Sequence, residues 1–233
     1  MKTNSYHHND LAKALTRAAL DLMEERNGPH FSLRELARIV GVTHPSVYRH
    51  FKDKSELLNR LMDQGIDRMR TYQLAEQAEA PDTPLEQLQA LCTAYVRFAR
   101  ENAGFFSLLF DSFHHADCDV GSRKRFNSET LGALFSAIER CQEAGILIPG
   151  DPGRIAGYLI LAPHGLASYT ARGLGFDPAV NDRLTLMGVK ELAFVGIAPL
   201  LCNPPDRSVI SELVFGAGSG GLADPDPAEG ADQ

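Results

Sequence analysis

Apolar residues recur every three or four positions along almost the whole chain, the spacing of one helical face, and no stretch alternates as a strand does. No segment repeats at a fixed period. The pattern predicts an all-α protein of about nine helices. It is sharpest between residues 32 and 58. Leu33, Leu36, Ala37 and Val40 share one face, and Ser32 with Glu35 three residues later makes a capping box. Gly41 stops this helix where the backbone calls for a positive φ, and Val42 follows as an apolar plug. Thr43 is set to cap the next helix, and Pro45 fits a first turn whose N–H has no intrahelical use. Val47 and Phe51, four apart, point to a core. Thr43, His44, Ser46, Tyr48 and His50 are left facing outward. Asp53 with Glu56 repeats the capping box and opens a helix through Leu57, Leu58, Leu61 and Met62.

Two short helices around a tight turn, with a third helix starting at once, form a helix-turn-helix unit. Such a unit can lay its second helix in a DNA major groove, where each base pair shows a distinct donor and acceptor pattern. Thr43 and Ser46 are small enough to let that helix approach base edges, and His44 adds a longer donor or acceptor. Tyr48 and His50 are better placed for phosphates, and Lys54 sits where a cation can meet the backbone. The helix opened by Ser32 can hold a phosphate on its unpaired N–H groups. Blander readings stand beside these. His50 can cap or pack on the next helix, Arg34 and Arg38 can simply form a solvated face, and a helix-turn-helix can be purely structural.

Residues 11–62 resemble the DNA-binding domain of the TetR family of transcriptional regulators. The resemblance rests on Leu11 with Ala18-Ala19-Leu20-Asp21-Leu22, on Phe31-Ser32-Leu33-Arg34-Glu35-Leu36-Ala37, and on Gly41-Val42-Thr43 with Ser46-Val47-Tyr48-Arg49-His50-Phe51. Lys54 and Glu56-Leu57-Leu58 complete it, and the Tyr-x-x-Phe run with a Lys three residues later is the discriminating part. The resemblance implies a three-helix N-terminal DNA-binding domain and a larger helical domain for ligand binding and dimerisation. It also implies that Tyr48 touches a phosphate and that Lys54 lies near the DNA backbone. The body is similar, in part, to a C-terminal class marked by a Trp and a His-Gly pair: Tyr95-Val96-Arg97-Phe98-Ala99-Arg100-Glu101-Asn102 and Gly104-Phe105-Phe106 match, as does His164-Gly165. Ile160 stands where that class has its Trp, and Ala103 where it has a Pro.

Beyond residue 62 the fourth helix is expected to reach about Ala78, with Thr83 and Pro84 capping the next. A short apolar helix follows from Asn102 to near Phe113, a loop over 114–121, and a long helix over 122–144 stopped by Gly145. Asp151-Pro152 and Asp177-Pro178 open the last two, ending near Gly173 and Leu201. Phe98, Phe105, Phe106, Leu109, Phe110, Phe113, Phe126 and Phe135 crowd this region. They fill a core, or they line a cavity for an apolar or aromatic effector together with Ile160. Tyr158, His164 and Tyr169 are the candidate polar groups there, although a histidine on an otherwise apolar helix is more often a satisfied core residue than a ligand contact. Ile155, Leu159, Ala162, Leu166, Leu184, Gly188, Leu192 and Val195 lie at helical spacing on the last two helices and suggest a dimer face.

Charge divides the chain as the motifs do. The formal charge is −7, yet residues 1–62 hold ten Lys and Arg against seven Asp and Glu. A modestly basic head on an acidic body confines the attraction for phosphate to the head. The expected layout is a DNA-binding domain at 1–62, an effector-binding and dimerisation domain at 63–203, and a Gly-, Pro- and Asp-rich disordered tail at 204–233. The four cysteines (Cys92, Cys118, Cys141, Cys202) lie far apart, which suits buried free thiols in a reducing cytoplasm. No apolar run reaches about 18 residues, so no membrane span is expected, and the first residues carry no secretory signal. His114-His115-Ala116-Asp117-Cys118 offers metal donors but has no matching second half, so no metal is expected. With no G-x-S-x-G, P-loop or dinucleotide glycine pattern, neither a cofactor nor catalysis is expected. The sequence reads as a homodimeric repressor, released from a palindromic operator on double-stranded DNA by a small-molecule effector. The alternative is a helical small-molecule binder without DNA recognition.

Overall fold

Two helices of the N-terminal region open where their capping chemistry dictates. The computed structural model describes residues 4–26, 28–111, 120–171 and 189–205. Helices α1 (Asn4–Arg26), α2 (Leu33–Val40), α3 (His44–Tyr48) and α4 (Lys54–Glu79) open the chain. Ser32 Oγ accepts the Glu35 N–H at 3.1 Å, and Asp53 Oδ1 accepts the Glu56 N–H at 2.8 Å. The Glu56 carboxylate reaches back to the Lys52 N–H at 2.7 Å, so the second box closes on both sides. Gly41 ends α2 with φ 75°, a left-handed conformation suited to glycine, while Val42 N–H returns to the Ala37 carbonyl at 2.9 Å. Thr43 has the extended backbone of a cap but makes no side-chain cap bond. Its hydroxyl is taken instead by Ser46 Oγ at 2.7 Å.

The head closes around fully buried Leu15, Ala19, Met23, Leu36, Val47, Phe51, Leu57 and Leu61. An Arg26–Glu35 fork, at 2.7 and 3.1 Å, ties the end of α1 to the first turn of α2. Hydrogen bonding to Arg26 holds the Glu35 carboxyl below the usual carboxylate range.

The apolar packing of the head continues along α4 past residue 62. Helix α4 runs unbroken for 26 residues, about 39 Å at 1.5 Å per residue. Its buried stripe passes from Leu57, Leu58, Leu61 and Met62 to Ile66 and Met69 without interruption. Head and upper body therefore share one apolar cluster, which also takes in Phe98, Phe106, Leu109 and Phe126.

The body comprises α5 (Pro84–Glu101), α6 (Ala103–Asp111), α7 (Val120–Phe126), α8 (Gly132–Glu143), α9 (Pro152–Ala171) and α10 (Val189–Ile197). A 3-10 turn, Ala198–Leu200, closes α10. Helix α5 is apolar almost all round, as a central helix must be, and α4, α8, α9 and α10 pack around it. A second cluster forms below from Leu88, Leu91, Ile138, Cys141, Leu147, Ile155, Leu159 and Ile197. The long helix expected over 122–144 is present but interrupted. Asn127–Leu131 is a π-helical turn between α7 and α8, with the Gly132 N–H donating to the Asn127 carbonyl. Among the described residues there is no strand, only an isolated antiparallel bridge between Leu147 and Leu201.

Some expectations change. Ile155 and Leu159, placed on a dimer face by spacing alone, are buried within the protomer because their stripe of α9 packs on the second cluster. Leu184 and Gly188, and the side chains of Ala162, Leu166, Leu192 and Val195, lie outside the described residues. Val120, expected in a loop, is helical; residues 114–119 lie outside the described residues, as do 206–233 of the expected tail. Cys92 and Cys141 are buried free thiols, but Cys202 is exposed just past the 3-10 turn, and Cys118 lies outside the described residues.

Helix α6 docks against the middle of α1 because Gly104 has no side chain. A Cβ there would sit 3.1 Å from the Leu20 carbonyl oxygen, a backbone atom that cannot swing away. Gly104→Ala is expected to cost about 1–3 kcal/mol, read as a lower thermal midpoint by circular dichroism. An unchanged midpoint would mean that α1 and α6 separate easily.

Candidate functional site

Helix α3 is held from behind and open in front. Val47 and Phe51 are fully buried and plug it into the head. Thr43, His44 and Tyr48 are exposed on the opposite side, with Ser46 half-buried beside them. The Thr43–Ser46 hydroxyl pair fixes two small polar groups at the start of the helix. His44 stands edge-on to Tyr48 with ring centroids 4.8 Å apart, so the two long side chains brace one another. Tyr48 is 47% exposed. His50 is half-buried, its N–H donating to the Val47 carbonyl at 2.9 Å. Arg34 and Arg38 are exposed on α2, and with Ser32 and His44 they edge an open groove between the two helices. Arg49 and Lys52, not singled out from the sequence, are exposed just beyond α3.

Lys54 makes contacts within the head. Its ammonium donates to the Pro29 carbonyl and lies 4.9 Å from the centre of the Phe31 ring, a cation–π contact. It ties the start of α4 to the α1–α2 turn.

The second candidate site is an internal cavity at the seam between the two apolar clusters, with about 20 Å³ of space. Met69 and Gln73 of α4 form one wall; Leu91, Cys92 and Tyr95 of α5 form another. Thr130 and Leu131 of the π turn and Leu134 of α8 face them, and Phe110, Leu159 and Ile160 close the rest. Of the expected ligand-contacting residues that are described, only Phe110 and Ile160 line it. Phe98 turns toward Tyr72 on α4, 5.8 Å between ring centres. Phe106 and Leu109 are buried in the shared core, Phe105 packs over Gly65, and Phe135 packs on the second cluster. His164 stands one shell back, its Nδ1 3.2 Å from the Tyr95 hydroxyl and its ring near Phe106 and Phe110. Tyr158 is exposed. Phe113 and the side chain of Tyr169 lie outside the described residues.

Gln73 and Thr130 were missed, although their signal is legible. Each is a polar residue on a stripe otherwise apolar at helical spacing: Ile66, Met69, Gln73 on α4, and Phe126, Thr130, Leu134 across the π turn. Gln73 Nε2 donates to the Thr130 carbonyl at 3.1 Å across the cavity wall.

Among the described residues no group of three or more His, Cys, Asp or Glu is placed to hold a metal, and the His114–Cys118 cluster lies outside them. No described helix is long and apolar enough to cross a membrane.

Burial pushes the Cys92 thiol up to about 12, and that of Cys141 to about 11, so both stay protonated at neutral pH. Iodoacetamide at pH 8 is expected to alkylate Cys202 within minutes and to spare Cys92 and Cys141 until the protein unfolds, as read by peptide mass spectrometry. Equal labelling of Cys92 would show that the cavity opens readily to solvent.

Two family models match. Residues 15–61 match bacterial regulatory proteins of the tetR family, and residues 88–189 match the tetracyclin repressor-like C-terminal domain. The chain is 34% identical over 73 residues to the HTH-type transcriptional regulator AcrR of Shigella flexneri, covering 31% of this chain and 34% of that one. It therefore spans about a third of that relative's length. A solved structure of a protein of unknown function from Rhodococcus sp. RHA1 superposes with a TM-score of 0.64 at 27% identity, over 82% of this chain and 93% of that one. The structure of AibR in complex with isovaleryl coenzyme A and operator DNA gives 0.60 at 20% identity, over 84% and 99%. At that identity the likeness is one of fold.

Proposed function

We propose that this chain, which belongs to the TetR family of transcriptional regulators, is a homodimeric repressor that reads a palindromic operator and lets go when a small effector fills its body. The observation that carries this reading is α3, pinned by Val47 and Phe51 while Thr43, His44, Ser46 and Tyr48 face outward. That face suits a major groove: short hydroxyls for base edges, then a tyrosine at the rim for a phosphate. Arg34, Arg38, Arg49 and Lys52 surround it with positive charge, and AibR offers a precedent of the same fold on operator DNA.

The outward side of α9 supports the dimer. Leu161 is 67% exposed and Tyr158 46%, at the spacing of one stripe with Gly157 and Gly165. A Cβ on either glycine would meet nothing within 4 Å, so a second helix can approach the backbone there. A two-fold pair would carry two copies of α3 at the spacing of half-sites, roughly 34 Å or a multiple. Leu161→Asp is expected to shift the protein from dimer to monomer in sedimentation velocity. A dimer that survives Leu161→Asp and Tyr158→Asp together would put the interface elsewhere.

The reader is tested by fluorescence anisotropy on the DNA flanking the protein's own gene, over a salt series and against excess random DNA. Tight binding that falls steeply with salt is expected. Tyr48→Ala is expected to weaken binding on all sequences alike and to flatten the salt slope by about one. Thr43→Val is expected to relax sequence preference instead. Affinity that ignores both substitutions would favour a helical binder of small molecules without DNA recognition.

A further inference from the structure

Among the described residues the buried Ser107 Oγ, Arg123 Nε and Thr130 Oγ1 have no hydrogen-bond partner, and of the three only Thr130 lines the cavity. Thr130 is only 2% exposed and lines the cavity, yet its Oγ1 has no hydrogen-bond partner. Buried hydroxyls are nearly always paired, because leaving one unpaired forfeits its bonds to water. The position is unusual too, since Thr130 lies in the π-helical turn Asn127–Leu131, and such turns gather at functional sites. Among the described residues no charged side chain lines the cavity; beside Thr130 the polar groups there are Gln73, the Tyr95 phenol and the Cys92 thiol.

We propose that this cavity takes an uncharged, largely apolar ligand bearing one hydroxyl or carbonyl oxygen, bound by Thr130 Oγ1, and that its entry acts by parting α4 from the π turn. The first half follows from the lining. A carboxylate, a phosphate or an ammonium would lose its hydration and find no opposite charge, whereas one neutral oxygen would satisfy the orphaned hydroxyl. The second half follows from size. About 20 Å³ holds little more than a water molecule, so a ligand must move a wall. The wall between α4 and the π turn is bridged inside by the single Gln73–Thr130 bond and clasped outside by ions. Arg125 reaches Asp63 at 3.5 Å, Asp67, and Glu129 at 3.0 Å; Arg70 meets Glu129 at 3.7 Å, and Ser122 bonds Asp63 at 3.2 Å. Displacing the π turn works against this clasp and shifts α4, the helix that carries the head.

The inference rests on the effector reading above, and the test separates the two. Three probes of one shape are titrated calorimetrically into the full-length protein at pH 7: toluene, p-cresol and p-toluate. The expected order is p-cresol about tenfold tighter than toluene, with p-toluate silent. Thr130→Val is expected to bring p-cresol down to the level of toluene, while Thr130→Ser keeps the preference. Arg125→Gln, or Asp67→Asn should that variant fold poorly, is expected to bind p-cresol severalfold tighter because the clasp no longer resists. Binding of p-toluate as tight as p-cresol, a preference that survives Thr130→Val, affinity indifferent to both clasp variants, or no binding by any probe would each overturn the proposal. Operator affinity is measured on the same samples without probe. Intact operator binding with failed probes sinks this inference alone; the expected probe pattern with no operator binding sinks the regulator reading alone.

Discussion

The apolar stripe of α4 joins everything else in this molecule. Leu57, Leu58 and Leu61 complete the head under Phe51, and Met62, Ile66 and Met69 complete the body under Phe98 and Phe106. Because all of these are buried in one continuous helix, the head cannot tilt without disturbing the packing below it. A hinge in a loop would decouple the two regions; a shared helix makes the orientation of the reading face a property of the body's core. Interiors this closely packed respond to an inserted group by moving elements and not by diffuse softening.

The two ends of α4 carry different kinds of restraint. At its start, the Lys54–Pro29 bond and the Asp53 cap hold the head to the helix. Further along, Arg125 and its three carboxylates hold the helix to the π turn, and Glu129, then Asp67, raise the Arg125 pKa. The surface part of that clasp is solvent-screened and worth little by itself. Its weight lies in geometry, since a planar guanidinium shared among Asp63, Asp67 and Glu129 fixes how the two elements face each other. The same five-residue turn carries Thr130, which lines the cavity, and Glu129, which joins the clasp.

Much of this was legible in the sequence, for identifiable reasons. Ser32–Glu35, Gly41, Asp53–Glu56 and the Val47–Phe51 pair are local chemistry, and the helix-turn-helix follows from them without knowledge of the rest. The cavity was not legible in the same way. Seven phenylalanines crowded into a helical region cannot say which rings pack on α4 and which face a void, and among the described residues expected there only Phe110 and Ile160 line it. The π turn was invisible because one extra residue in a helix leaves no compositional mark. Ile155 and Leu159, placed on a dimer face by spacing, fit the helical period as well as the exposed Tyr158 and Leu161 do, and only burial tells them apart. Lys54 shows the same limit, since its cation–π seat on Phe31 depends on a neighbour 23 positions earlier in the chain.

A DNase I footprint of the full-length protein on the DNA flanking its own gene tests the central claim most directly. The account predicts two protected patches related by two-fold symmetry, their centres roughly 34 Å or a multiple apart, both fading when Tyr48 is replaced by Ala. Unpatterned protection, or none at any concentration that saturates binding to random DNA, would contradict it.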